Sequence, residues 1–233
     1  MSAAFTDDGA AKGRGELADA KLRAAQSRGA SDGAIYAMVQ REIAARHCGG
    51  GTIIDVGCGS GGLFAFVSHL CDRYVGVDIA RYDFFPPHAE FVAANLDNGA
   101  IPLRDACGQL VVSLETIEHL ENPRAFIREL VRLAAPGGWV AVTTPNQLSL
   151  LSKMGLVLKN QFPAFQQAPG LYPAHLTALL EIDLARIARE CSLTDIAIAY
   201  SNSGRIPSTA RHWPAFCRGR PFSDNIMMVA RKG

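Results

Sequence analysis

The run TIIDVGCGSGG at residues 52–62 constrains this chain most: an aliphatic strand pattern breaks into glycine and then gives way to apolar residues at helical spacing. Strand, glycine turn and helix in that order open a βαβ unit, because glycine supplies the positive φ and the close backbone approach that such a turn needs. Leu63, Phe66, Val67 and Leu70 fall on one helical face, and RYVGVD at 73–78 reads as the next strand. EFVAAN (90–95) and QLVVSL (109–114) read as a third and a fourth strand, short and aliphatic as strands buried on both faces should be. Strands alternating with helices predict a parallel sheet, hence an α/β, doubly wound Rossmann-like domain.

The rest of the chain extends that pattern. Asn122 caps a helix with Pro123 in its first turn, Ile127, Leu130, Val131 and Ala134 form its apolar stripe, and Pro136-Gly137-Gly138 ends it. WVAVTT is the fifth strand. Leu176, Leu179, Leu180, Leu184, Ile187, Ala188 and Cys191 share a later helical face, and TDIAIAY and NIMMVA are the last two strands. Residues 1–15 read as a mobile tail, and 16–48 as N-terminal helices broken near Gly29, the second capped by Ser31 or Asp32 with Ile35, Met38, Val39 and Ile43 inward. The domain proper is 49–233.

Between about 146 and 174 lies a stretch rich in Leu, Met and Phe but cut by Gly155, Pro163, Pro169 and Gly170, which reads as an inserted cap after the fifth strand. Its apolar content fits a roof over a substrate pocket, a peripheral contact with lipid, or a helix packed on the core or on a second copy. The chain is accordingly expected as a monomer or homodimer. A formal net charge of +1 with no long basic run gives no reason to expect a nucleic-acid partner. Six scattered cysteines without a C-x-x-C pair read as idle thiols, and no stretch resembles a secretion signal or a membrane span, so a cytoplasmic setting is expected.

The chemistry concentrates at two strand ends. Asp55 precedes Gly57, Gly59, Gly61 and Gly62, and Asp78 ends the neighbouring strand, where an acid is spaced to hydrogen-bond ribose hydroxyls. Together they specify a nucleoside-containing ligand. Asp55 separates two candidates, because a carboxylate at the turn repels a dinucleotide pyrophosphate but suits the ammonium and sulfonium of S-adenosylmethionine (SAM). An NAD-linked oxidoreductase and a catalytically silent scaffold are the rival classes.

The long run from IIDVGCGSGG through YVGVDIA and NLDNGAIPL to LVVSLETIEHLENPRAFIRELVRLAAPGGWVAVTTPN resembles the class I SAM-dependent methyltransferases over roughly residues 50–200. The resemblance implies sheet order 3-2-1-4-5-7-6 with strand seven antiparallel, SAM as cofactor and S-adenosylhomocysteine as product. It implies that Asp55, Gly57, Cys58, Gly59, Gly61, Asp78 and Ile79 hold the cofactor, with Leu96 and Asp97 near the adenine and Leu114 and Glu115 near the methionine portion. One departure is Gln109, where these proteins often carry Asp just before the fourth strand.

For an oxygen acceptor a base is needed, and His119 in ETIEHL and His175 at the end of the cap are the candidates. Glu115 and Glu118 are each a base, a substrate contact or part of a solvated face. The E-x-x-E-H pattern resembles two branches. In small-molecule O-methyltransferases of ubiquinone-biosynthesis type, and relatives in polysaccharide gene clusters, a T-P-N turn, a cap and a downstream His follow it, as here. In metal-dependent RNA 2′-O-methyltransferases two Glu and two His bind an ion, and Glu115, Glu118, His119 and His175 read that way. The preferred expectation is the first, with a small-molecule acceptor and no metal. The loop 201–224, with Arg205, Arg211, Arg218 and Arg220 beside Trp213 and Phe216, reads as solvated surface or as facing an acidic or aromatic substrate.

Overall fold

The computed structural model describes residues 29–47, 49–97, 100–166 and 175–233. The expected tail, the first N-terminal helix, Cys48 and the end of the cap with Pro169 and Gly170 lie outside the described residues. Seven strands, β1 (Thr52–Val56), β2 (Arg73–Asp78), β3 (Glu90–Ala93), β4 (Gly108–Ser113), β5 (Ala134–Pro145), β6 (Leu193–Tyr200) and β7 (Asn225–Lys232), form one sheet in the order 3-2-1-4-5-7-6. Neighbours from β3 to β5 pair parallel, and β7 runs antiparallel to both β5 and β6. The strand order therefore reverses between β1 and β4, and a doubly wound sheet opens its ligand crevice at the C-terminal ends of such a pair.

Alternation along the strands fills both faces. Ile54, Val56, Val111, Val140, Val142, Ile226 and Met228 belong to one core, with Ile127 and Leu130 of α3 (Pro123–Leu133) and Leu184 and Ile187 of α5 (Glu181–Glu190). Ile53, Tyr74, Leu110, Val112, Met227 and Val229 belong to the other, with Ile35, Met38, Val39 and Ile43 of α1 (Gly33–Ala44). Asp32 caps α1 by accepting from the Ala34 N–H, and Asn122 caps α3 by accepting from the Ala125 N–H, so the expected start signals hold. Gln109, the departure noted above, accepts the Thr52 N–H at 2.7 Å and fixes the entry of β1.

Several expectations are corrected. β3 is an edge strand with one neighbour, and all four of its residues are exposed or half-buried rather than covered on both faces. The helix after the glycine turn is one α turn, α2 (Phe64–Val67), continued by a 3-10 turn at Ser68–Leu70. α3 stops at Leu133: Ala134 already pairs with Gly108, and residues 135–138 bulge between that pair and Leu110–Trp139. α5 begins at Glu181, so Leu176, Leu179 and Leu180 lie outside the helix. The Leu176 and Thr177 N–H groups donate to the Glu118 carbonyl, which pulls this segment off helical geometry, and Asp183 accepts the Leu180 N–H to start the helix later. In the cap, α4 (Leu150–Lys159) is not a core helix: Met154, Leu156, Val157 and Leu158 are exposed and Ser152 is its one buried residue.

Candidate active site

The glycine turn after β1 is built around the protein as much as around a ligand. Gly57 has φ +77°, and a Cβ there would lie 2.1 Å from Thr116 Oγ1; Gly59 has φ +52°, and a Cβ there would lie 2.2 Å from the Gly29 carbonyl oxygen. Both positions require glycine on conformation and on space. The Gly29 carbonyl accepts the Ser60 N–H at 2.7 Å, so the segment ahead of α1 closes over the turn. Asp78 locks the turn to the tip of β2, its two oxygens accepting the N–H groups of Gly59 at 2.8 Å and Ile79 at 2.7 Å. Cys58 is buried in the turn and burial pushes its thiol far up, so it is inert packing.

Asp55, 2% exposed, stands on the α1 face of β1. The Tyr74 hydroxyl donates to its Oδ2, and Oδ1 has no partner. Burial, and then the neighbouring Asp78, push its carboxyl up to about 7 against the Tyr74 hydrogen bond. A bare carboxylate oxygen in apolar surroundings is costly unless a donor arrives. The cationic end of SAM supplies one, so the residues present fit that cofactor.

Across the crevice, Leu114 and Glu115 directly follow β4. Leu114 is buried in the α1-side core, while Glu115 takes a left-handed backbone, φ 48°. Thr143 Oγ1 donates to Glu115 Oε1 at 2.8 Å and Asn225 Nδ2 to Oε2 at 2.7 Å, so β5 and β7 hold this acid; burial pushes it up to about 7. The 3-10 turn Ile117–His119 then buries Glu118 completely. The solvated-face reading of Glu118 is thereby overturned. Thr144 Oγ1 donates to Glu118 Oε2 at 3.1 Å, Oε1 has no partner, and burial with Glu115 nearby keeps the acid well above its usual range.

His119 and His175 meet edge to face with ring centroids 4.6 Å apart. The 3-10 turn Pro163–Phe165 of the cap sits on this pair, Phe165 packing on the His175 ring at 5.4 Å and the Ala164 backbone hydrogen-bonding to it. His175 Nδ1 is left bare, and burial beside His119 holds the ring down at about 4. Ligand atoms of Glu118, His119 and His175 lie within 4.8 Å of one another. Three side chains separated by up to 57 positions thus converge below the cap.

Leu96 and Asp97, expected near the adenine, follow β3; Leu96 packs on the α3-side core and Asp97 Oδ1 accepts the Glu121 N–H at 2.9 Å, tying that loop to the turn after His119. The loop 201–224 is tied down by Arg205 to Asp224 and Arg220 to Glu181, while Arg211, Phe216 and Arg218 are exposed. Tyr74, Thr143, Thr144 and Asn225 carry the site acids, and the sequence did not reveal them: they read as strand residues, and only pairing across strands shows what they hold.

Crevice, turn and acids together define a SAM-binding class I methyltransferase domain. A family model described as a methyltransferase domain matches residues 11–192, and the chain belongs to that family. A Mycolicibacterium smegmatis protein named "Probable S-adenosylmethionine-dependent methyltransferase" is 30% identical over 140 residues, 59% of this chain and 52% of its own length. The mitochondrial ubiquinone biosynthesis O-methyltransferase of Dictyostelium discoideum is 31% identical over 135 residues, 50% of this chain and 41% of its own length. The chain thus spans about half the length of the curated relatives it matches. A SAM-dependent methyltransferase from Archaeoglobus fulgidus shares the fold with TM-score 0.61 at 15% identity, over 84% of this chain and 94% of that one.

Proposed function

We propose that the protein transfers the methyl group of SAM to an oxygen of a small-molecule acceptor. The observation that carries this reading is the convergence of Glu118, His119 and His175 at the C-terminal end of β4, under the cap and across the crevice from Asp55 and the glycine turn. SAM supplies an activated methyl on a sulfonium. Asp55 takes the ammonium end, Gly57, Cys58, Gly59, Gly61 and Ile79 form the cradle, Asp78 takes the ribose, Leu96 and Asp97 flank the adenine, and Leu114 and Glu115 line the methionine side. His119 would take the proton of the acceptor oxygen as that oxygen receives the methyl group. His119 is the base because His175, held at about 4, is a weak proton acceptor at neutral pH and serves as a neutral hydrogen-bond acceptor. Relatives named for ubiquinone biosynthesis and tocopherol O-methylation support a small-molecule acceptor.

The test is transfer of labelled methyl from SAM into small-molecule and RNA fractions of a cell extract. Label in a small molecule, with His119→Ala lowering kcat by about 10²–10⁴ at unchanged S-adenosylhomocysteine affinity, is the expected result; label confined to RNA would overturn it. One observation favours a second reading, a metal-dependent RNA 2′-O-methyltransferase: Glu118 Oε1 and His175 Nδ1 are both bare and both belong to the three-residue cluster. In that reading Glu118, His119 and His175 hold a divalent ion that polarises the acceptor oxygen, without the fourth expected ligand Glu115, whose two oxygens are engaged by Thr143 and Asn225. Loss of activity in EDTA and its return with Mg²⁺, Mn²⁺ or Zn²⁺ would support the ion. The near-neutral charge gives RNA little to bind.

A further inference from the structure

In the β1–β2 register Ile53 sits opposite Tyr74 and Asp55 opposite Gly76. With no side chain on Gly76, the space beside Asp55 is taken by the Phe85 ring and Cys58 Sγ, which a Cβ at Gly76 would approach to 2.5 and 2.8 Å. The nearest polar group is then the Tyr74 hydroxyl, reaching along β2 to Oδ2 while Oδ1 stays bare. The other titratable group acting on Asp55 is Asp78 at the tip of β2, and Asp55 in turn raises the Cys58 thiol in the turn and the Tyr36 hydroxyl on α1. None of these is a cation.

We propose that Tyr74 is a positioning residue for Asp55: it occupies one carboxylate oxygen, leaves the other for the ammonium end of the cofactor, and couples cofactor uptake to release of a proton. This rests on the cofactor reading given above. The Tyr74 hydroxyl donates more strongly to an ionised carboxylate than to a neutral carboxyl, so it favours the form the ammonium needs, while burial and Asp78 favour the protonated form. The balance leaves Asp55 titrating at about 7. Below that pH the site holds a proton on Asp55, and the arriving ammonium, which stays charged, displaces it to solvent. Both charges then end in one buried pair, and no net charge is stranded.

Calorimetric titration with S-adenosylhomocysteine between pH 5.5 and 8, in buffers of different ionisation enthalpy, tests this on the intact chain. Wild-type affinity is expected to rise about tenfold per pH unit below the midpoint and to level above it, with about one proton released at the acidic end and none at the basic end. Tyr74→Phe removes the donor to the ionised form, so the midpoint moves to higher pH; binding is about tenfold weaker at pH 7, and the deficit narrows towards pH 8. Asp55→Asn binds weakly and without pH dependence. An affinity flat in pH for the wild type, or a Tyr74→Phe loss equal at every pH, would sink the proposal while leaving the cofactor site standing. Absence of wild-type binding at every pH would take the cofactor reading down with it. Should Tyr74→Phe fail to fold, the wild-type proton count and the Asp55→Asn profile decide alone.

Discussion

At Gly57 two demands coincide that the sequence expressed as one letter: a backbone at φ +77°, and a neighbour, Thr116, where a Cβ would stand. The sequence pointed to a tight turn and to close approach of the backbone to a ligand; the structure shows the positive φ, and shows that the space at Gly57 and Gly59 is filled by the chain itself. Gly57→Ala is therefore expected to cost at least about 1–3 kcal/mol from the backbone alone, seen as a lower Tm, and to abolish S-adenosylhomocysteine binding. Gly33 is the contrast, since it opens α1 with nothing within 4 Å of a Cβ. Gly33→Ala is expected to stabilise by about 0.4–1 kcal/mol, and an unchanged or lower Tm would contradict the account. His119, His175 and Glu118 were legible as candidates because each lies next to a strand end or a cap boundary. Their partners Thr143, Thr144 and Asn225 were not, because a threonine in a strand looks the same whether it packs or holds an acid.

At the level of elements, capped starts were easier to read than uncapped boundaries. Asn122 with Pro123 announced α3 because capping is local chemistry; Asn122→Ala should cost about 1 kcal/mol in chemical denaturation at unchanged m-value. Its end was misplaced because Ala134 continues the helical pattern yet is claimed by β4 through Gly108. Likewise Leu176, Leu179 and Leu180 hold helical spacing with α5 but are drawn out by the Glu118 carbonyl, a tertiary hydrogen bond that outweighs weak local propensity. The cap divides in two: Pro163–Phe165 packs over His175, while α4 turns Val157 and Leu158 outward at 80% and 75% exposure. Lipid contact through α4 is our reading of that face. Val157→Ser with Leu158→Ser is expected to abolish flotation with anionic vesicles at unchanged Tm; flotation by neither protein would end it.

For the whole molecule, Asp55 and Glu115 are buried acids whose carboxyls stand at about 7 when folded. The native state thus holds more protons than the unfolded chain, whose carboxyls titrate near 4. Their contribution to stability is fully present below about pH 4 and is lost as pH rises through about 7. The ligand-free protein is expected to melt at higher temperature at pH 5.5 than at pH 8, and bound S-adenosylhomocysteine should flatten the slope by giving ionised Asp55 a partner. Equal slopes with and without ligand would count against Asp55 as its source. The sequence by itself determined the class of fold, the seven strands, the glycine turn and the two strand-end acids, because periodicity, capping and φ preference act over a few residues. Only the tertiary structure decided that Glu118 is buried, that His119 and His175 touch, and that Tyr74 rather than a cation meets Asp55. Those facts depend on which strands and loops become neighbours, and burial then sets the protonation of each group.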